Sequence, residues 1–350
     1  MNRIRLGLEI PTFPGVTDTH IESPCYEEFD YSITERVALL SEDLGYDSLW
    51  TADHLIFGRH GETAECWTLL SALASVTKRI RLGPLVFCDA HRNPALVAKM
   101  VATLDNISHG RINYGVGAGW RKTEQLRYGL PWLDSSIGRI KRMEEGIEIV
   151  RRMWTEDSAT FDGKYYRISE AVCNPKPVQK PHPPIWVAGH GPVMLKTVAR
   201  YANAWNWFLT TAEEHEALLW KLRKSCEDIG RNFNEIEISW QGRILIAKND
   251  QSVKEKIDEI HRFSPRYPLS TQTPVMEVPS YESVQREALG SNREVLDFRA
   301  HGLVGTPDQV RAQMQKYIEI GVKHFILTFI DYPSTDGIQL FAEEVLRSLR

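Results

Sequence analysis

No stretch of this 350-residue chain approaches the ~18 consecutive apolar residues that a membrane-spanning helix needs. The N-terminal Met1-Asn2-Arg3-Ile4-Arg5-Leu6-Gly7-Leu8-Glu9 is a short apolar run broken by charge, not a signal segment, and the chain reads as cytoplasmic. Cysteine is sparse. Cys25, Cys66, Cys88, Cys173 and Cys226 are odd in number, scattered, and form no Cys-x-x-Cys pair, which argues against a disulfide or zinc framework. An excess of either charge is also missing: a formal net charge of −4 gives no electrostatic reason to expect nucleic acid or an acidic membrane as partner. There is no internal repeat, and no glycine-rich turn carries the lysine of a nucleoside-triphosphate loop. Small molecules remain as the expected partners.

The chain does contain short runs of branched and aromatic residues, separated by helix-like segments. These predict strands at Ile4–Ile10, Asp47–Trp50, Ile80–Phe87, Ile112–Val116, Pro184–Ala188, Ala204–Phe208, Ile236–Ile246 and Lys323–Ile330. Helix punctuation fits between them: Gly45 follows Tyr31 to Leu44, Asn93-Pro94 opens a helix, and Thr306-Pro307-Asp308-Gln309 is a capping box. Eight alternations favour an α/β fold of the (β/α)₈ TIM barrel type over a doubly wound sheet, whose glycine-rich turn follows its first strand. The whole of 1–350 is expected to be one barrel domain. It carries a hairpin-like insertion at 159–183 and a second insertion at 264–302, a candidate lid at the strand C-terminal mouth.

In such a barrel the chemistry lies just past the strand ends. That confines the candidates to Glu9 with Thr12, Asp53 with His54, Cys88 to Arg92, Gly117 to Glu124, Gly189 to Gly191, Asn206 and Asp331. Glu-x-Pro after the first strand supplies no imidazole pair, so no metal site is expected. Asp53-His54 offers an imidazole with a carboxylate beside it, an acid/base near neutral pH or a surface loop pair. Gly115-Val116-Gly117-Ala118-Gly119 has no side chains to catalyse with, but lets a flat ring or a backbone come close. The bulky run through Phe87-Cys88 turns without a glycine, which is compatible with a bulge or a non-proline cis bond near there but does not derive one.

The strand Pro184 to Ala188 runs through Gly189-His190-Gly191 into a helix that opens with Pro192-Val193-Met194-Leu195. Pro192 suits the first helical position, and no acidic or capping side chain answers the partial positive charge of the helix N-terminus. An external anion would complement it, and an ordinary αβ turn is the alternative.

Taken together, Ser48-Leu49-Trp50-Thr51-Ala52-Asp53-His54, Arg92-Asn93-Pro94-Ala95-Leu96-Val97-Ala98-Lys99-Met100, Gly110-Arg111 to Trp120, and Gly189 to Asn206 resemble the luciferase-like flavin-utilising barrels. Bacterial luciferase and coenzyme F420-dependent oxidoreductases belong to this group. The ending Gly302-Leu303-Val304-Gly305-Thr306-Pro307 is similar as well. The resemblance covers nearly the whole chain. It implies a flavin or deazaflavin in the mouth with its phosphate on the amides of Gly189, His190 and Gly191. Asp53 and His54 then lie by the tricycle, a bulge at Phe87 and Cys88 presses one ring face, and Gly117 and Gly119 let the ring approach.

Asp-His after the second strand is similar to the F420 branch, so F420 is the expected cofactor and FMN the alternative. The implied reaction is hydride transfer with a small organic substrate, His54 acting as acid/base and Asp53 orienting it. An FMN-dependent monooxygenase with a partner flavin reductase, and a flavin-binding barrel without turnover, are the other readings. F420-dependent sugar-phosphate dehydrogenases carry a catalytic Glu after the fourth-strand glycines, whereas this chain has Trp120 there and a carboxylate only at Glu124. A sugar phosphate is therefore not the expected substrate, and Glu124 is either a proton donor or a solvent-facing acid at a helix start. The family also implies a homodimer.

Overall fold

The computed structural model describes residues 3–10, 12, 29–56, 61–263 and 301–349. Cys25 and nearly all of the 264–302 insertion lie outside the described residues.

The chain alternates strand and helix for most of its length: β1 Arg5–Glu9, α1 Tyr31–Leu44, β2 Ser48–Thr51, α2 Cys66–Val76, β3 Arg81–Pro84, β4 Phe87–Cys88, α3 Pro94–Ile107 and β5 Tyr114–Gly117. After α4 Lys122–Arg127 and α5 Ser136–Thr155 come the short strands β6 Ala159–Asp162 and β7 Arg167–Ala171. The rhythm resumes with β8 Ile185–Ala188, α6 Pro192–Tyr201, β9 Ala204–Phe208, α7 Ala212–Glu227, β10 Glu237–Ile246 and α8 Asp250–Phe263. It ends with β11 Leu303–Gly305, α9 Pro307–Ile320, β12 His324–Phe329 and α10 Asp336–Glu344.

The helix signals act where the sequence puts them. The Asp30 side chain accepts the Ser32 amide at the start of α1, and Gly45 ends that helix at φ 89°. Asn93 caps α3 with Pro94 in its first turn, and Thr306 and Gln309 form the reciprocal box at the start of α9.

One parallel sheet runs in the order β3-β2-β1-β12-β10-β9-β8-β5-β4. A Leu82↔Ile112 bridge brings β3 against the stave that becomes β5, which closes the ring. The third stave is broken: β3 and β4 are separated by Leu85-Val86, joined by a cis peptide bond. All eight expected strands are present, and β11 adds a short ninth beside the end of β10, with Ile244 opposite Leu303. Leu6, Leu8, Leu49 and Leu82 face the helices and are fully or almost fully buried. Each such side chain contributes about 1.5–3 kcal/mol. Inside the barrel Trp50, Leu85, Trp186, Ala204 and Ile326 form a separate plug, with the Trp50 and Trp186 rings 4.5 Å apart.

Between α5 and β8 the antiparallel pair β6 and β7 places Phe161 opposite Ile168. The Glu145 carboxylate of α5 accepts the amides of Lys164, Tyr165 and Tyr166, fixing the connecting turn against that helix.

Candidate active site at the barrel mouth

The break in the third stave decides which side chain reaches the mouth. Side chains alternate along a strand. Phe87 is buried outside the barrel, its ring 5.1 Å from Trp67 and 6.2 Å from Tyr114, with the Arg92 guanidinium 4.8 Å above it. It is therefore a core residue and not a wall of the cofactor site, which corrects the expectation for Phe87. Half-buried Val86 packs on the interior plug instead, and Cys88 is half-buried one step further on. The cis bond itself lies at Leu85-Val86.

Three glycines in and just after β5 answer this kink. A Cβ on Gly115 would lie 2.1 Å from the Pro84 carbonyl oxygen, one on Gly117 2.6 Å from Val86, and one on Gly119 2.7 Å from the Cys88 sulfur. The space that Gly117 and Gly119 leave is filled by protein, so close packing of the broken stave explains them without a ring.

Asp53 and His54 leave the end of β2 in different company. The Arg92 guanidinium donates two hydrogen bonds to the Asp53 carboxylate at 2.8 and 3.0 Å, and the Cys88 amide donates a third at 2.9 Å. His91 Nδ1 is 3.4 Å from the same carboxylate. Burial by itself raises the Asp53 carboxyl, but the hydrogen bonds and charges of His91 and Arg92 outweigh it and bring it to about 2. Asp53 is thus a buried anchor for the loop after β4. The expectation that it orients His54 is corrected, because the carboxylate on the His54 ring is that of Glu124.

Glu124 lies in α4 and is 3% exposed, so it is not a solvent-facing acid. One of its oxygens accepts the amides of Leu55 and Ile56; the other is 3.1 Å from His54 Nδ1. Burial opposes its ionisation, but His54 and the two amides prevail and hold the carboxyl below its usual range. An ionised carboxylate only accepts, which favours a hydrogen on His54 Nδ1 in this contact. The Trp120 ring stands edge-on to His54 at 5.8 Å, and Arg121 donates to the Ile56 carbonyl.

At the fifth stave Gly189 has φ 131°, a conformation that favours glycine, and its carbonyl accepts the Trp205 indole N–H at 2.7 Å. The His190 ring lies 4.1 Å from that of Trp207, so the side chain packs sideways and the backbone continues into α6. Gly191 caps α6 with no side-chain hydrogen bond, no acid stands in the first turn, and among the described residues no heavy atom beyond its own chain neighbours lies within 4 Å of where its Cβ would be. An open helix N-terminus with room beside it fits a phosphate.

A polar belt on the opposite wall was only partly anticipated, through Glu9 and Asn206. The Glu9 carboxylate accepts from Thr328 at 2.6 Å and from Gln241 at 2.9 Å; Gln241 accepts from Asn206 Nδ2, and Asn206 Oδ1 accepts from Ser239. The missed residues had a signal. Ser239, Gln241 and Arg243 recur at every second position of β10, the period of one strand face. Thr12 is buried, and the Asp331 carboxylate accepts from Lys256 and the Gly337 amide.

Among the described residues, no helix is long and apolar enough to cross a membrane.

The sequence model of the luciferase-like monooxygenases matches residues 4–324, and the chain belongs to that family of oxidoreductases. It is 29% identical over 339 residues to an F420-dependent glucose-6-phosphate dehydrogenase of Amycolatopsis mediterranei, covering 93% of this chain and 96% of that one. It is 25% identical over 345 residues to an FMNH(2)-dependent dimethylsulfone monooxygenase of Pseudomonas putida, covering 96% and 92%. Its fold matches that of an F420-dependent secondary alcohol dehydrogenase in complex with an F420–acetone adduct, with a TM-score of 0.76 over 99% of both chains at 20% identity.

Proposed function

We propose that this barrel transfers a hydride between coenzyme F420 and a small organic substrate held at its mouth. The observation that carries the reading is the His54–Glu124 pair, an imidazole held by a buried carboxylate just past the end of β2. Glu124 holds the Nδ1 hydrogen, which leaves Nε2 as the atom that exchanges a proton with the substrate oxygen. Amides at the start of α6 hold the cofactor phosphate, and Gly191 leaves the space for it. Val86 supports one ring face, leaving the other for substrate. Bound F420 supplies the carbon centre that gives or takes the hydride.

The sugar phosphate of the Amycolatopsis relative is not carried over, because Trp120 stands just past the fourth-strand glycines, where the sugar-phosphate dehydrogenases carry a glutamate, and the Glu124 carboxylate is taken up by His54 and the Leu55 and Ile56 amides. The FMN-dependent reading draws on the dimethylsulfone monooxygenase relative, and the same phosphate cradle serves either cofactor.

Titration of the purified protein separates the two readings. Saturable quenching of F420 fluorescence with no FMN binding is expected. Binding of FMN alone overturns the choice of cofactor, and binding of neither overturns the proposal.

A further inference from the structure

The end of the barrel opposite the mouth holds a cavity of about 620 Å³. Arg5 opens β1, Arg81 opens β3, Glu237 opens β10 and His324 opens β12, and all four line it. The cavity ends against the interior plug, whose Trp186 and Ala204 are also in its wall. None of the residues placed at the mouth lines it, so the proposed hydride transfer does not use it.

Charge in this cavity is unevenly matched. Four arginines, Arg3, Arg5, Arg79 and Arg81, share it with three carboxylates, those of Glu42, Asp47 and Glu237. The carboxylates are already taken up within the protein. Glu42 accepts the amides of Lys78, Arg79 and Ile80; Asp47 accepts from Arg3 and the Leu6 amide; Glu237 holds Arg5 and His324. Arg79 reaches only the exposed Asp43, at 3.7 Å.

Arg81 has no acid at all. Its Nε donates to Asn113 Oδ1 at 3.0 Å and its Nη1 to the Gly110 carbonyl at 3.3 Å. Its Nη2 donates to the Ile112 carbonyl at 3.0 Å and to Gln179 Oε1 at 2.9 Å. Every acceptor is a neutral oxygen, and no carboxylate of the described residues pairs with this guanidinium. One Nη1 hydrogen is left over. A half-buried charge gains most from a counter-ion, and a guanidinium held rigid by carbonyls presents the fork that oxyanions fit.

We propose that this cavity is a binding site for a small phosphate-bearing anion, seated on Arg81 with Arg5 as its second contact. The remaining Nη1 hydrogen of Arg81 points the anion, and Arg5 and Arg79 balance its charge. The inference does not depend on which cofactor the mouth binds.

Melting curves of the whole protein at constant ionic strength test it, with inorganic phosphate and glycerol 3-phosphate titrated separately. A saturable rise in melting temperature is expected with at least one of them, since a ligand that binds the folded state stabilises it. A rise with phosphate points to the free anion, and a rise with the ester alone to an organic phosphate. Phosphate also fits the start of α6, so variants separate the two ends of the barrel. The rise should survive Gly191→Asp. In Arg5→Glu, which sets a carboxylate in the cavity, it should need at least about tenfold more ligand, and Arg81→Met should abolish it. No rise with either anion overturns the proposal, as does a rise that Gly191→Asp removes or that Arg5→Glu leaves unchanged. Where Arg81→Met does not fold, Arg5→Glu decides, because the Arg5 side chain is 55% exposed.

Discussion

His54 and Glu124 stand 70 residues apart in the chain and meet at 3.1 Å between Nδ1 and Oε2. The same carboxylate accepts the amides of Leu55 and Ile56, so it fixes both the imidazole and the turn that carries it. Substitution separates these roles. His54→Ala is expected to lower turnover by at least ~10²-fold with cofactor affinity near that of the unsubstituted protein. Glu124→Gln keeps an acceptor for the turn but loses the charge behind His54. Its expected effect is a fall of about tenfold or more in turnover, with an altered pH–rate profile and a nearly unchanged melting temperature. An unchanged profile would remove Glu124 from its positioning role.

The phosphate cradle gives a contrast between two glycines that stand two residues apart. Gly191 has φ −66° and open space around a Cβ, so Gly191→Asp is expected to fold normally and to weaken cofactor binding through repulsion of the phosphate. Gly189→Ala has neither advantage: φ is 131° and Met194 is 2.6 Å from the new carbon. A lower melting temperature is expected for it, beyond any effect on binding. Equal melting curves and unaltered affinity for both variants would place the phosphate elsewhere.

Asp53 makes the fold acid-sensitive in a defined window. Its carboxyl is lowered from 3.8 to about 2, so the stability it contributes is complete above pH ~4 and is lost as pH falls toward 2. The shift corresponds to about 2 kcal/mol. His91 sets the opposite limb. Raised from 6.5 to about 10, its contribution is complete below pH 6.5 and is lost as pH rises through 10. Urea unfolding across pH should show both limbs in the unsubstituted protein. Asp53→Asn should flatten both, and should cost about 3–5 kcal/mol near neutrality by leaving Arg92 and His91 without their buried partner.

Close packing at the kinked third stave predicts a stability effect unconnected with chemistry. Gly115→Ala would set a methyl group 2.1 Å from the Pro84 carbonyl oxygen, which no rotamer change relieves. Overpacking of this kind costs about 1–3 kcal/mol or more, to be read as a lower denaturant midpoint. A midpoint equal to that of the unsubstituted protein would mean that the third and fourth staves are not pressed together.

The barrel was legible because parallel strands buried on both faces appear as unbroken apolar runs, and glycine and proline punctuate the helices between them. Three-residue β11 was too short to stand out from the segment leading into the Thr306 capping box. Phe87 was misplaced because the break at Leu85-Val86 resets which residues face inward, and alternation cannot be counted through a kink. Asp53 was paired with His54 because they are neighbours in sequence. Successive side chains leaving a strand end diverge, however, and each found a partner far along the chain. The burial of Glu124 depends on amides nearly 70 residues away, a contact that no local pattern reveals.

The most direct test of the central claim is the absorption spectrum of whatever cofactor co-purifies with the protein from a host that makes both F420 and FMN. A deazaflavin spectrum, lost from the Gly191→Asp protein, is predicted. A flavin spectrum alone, or a colourless protein that binds neither compound when supplied, would contradict the account.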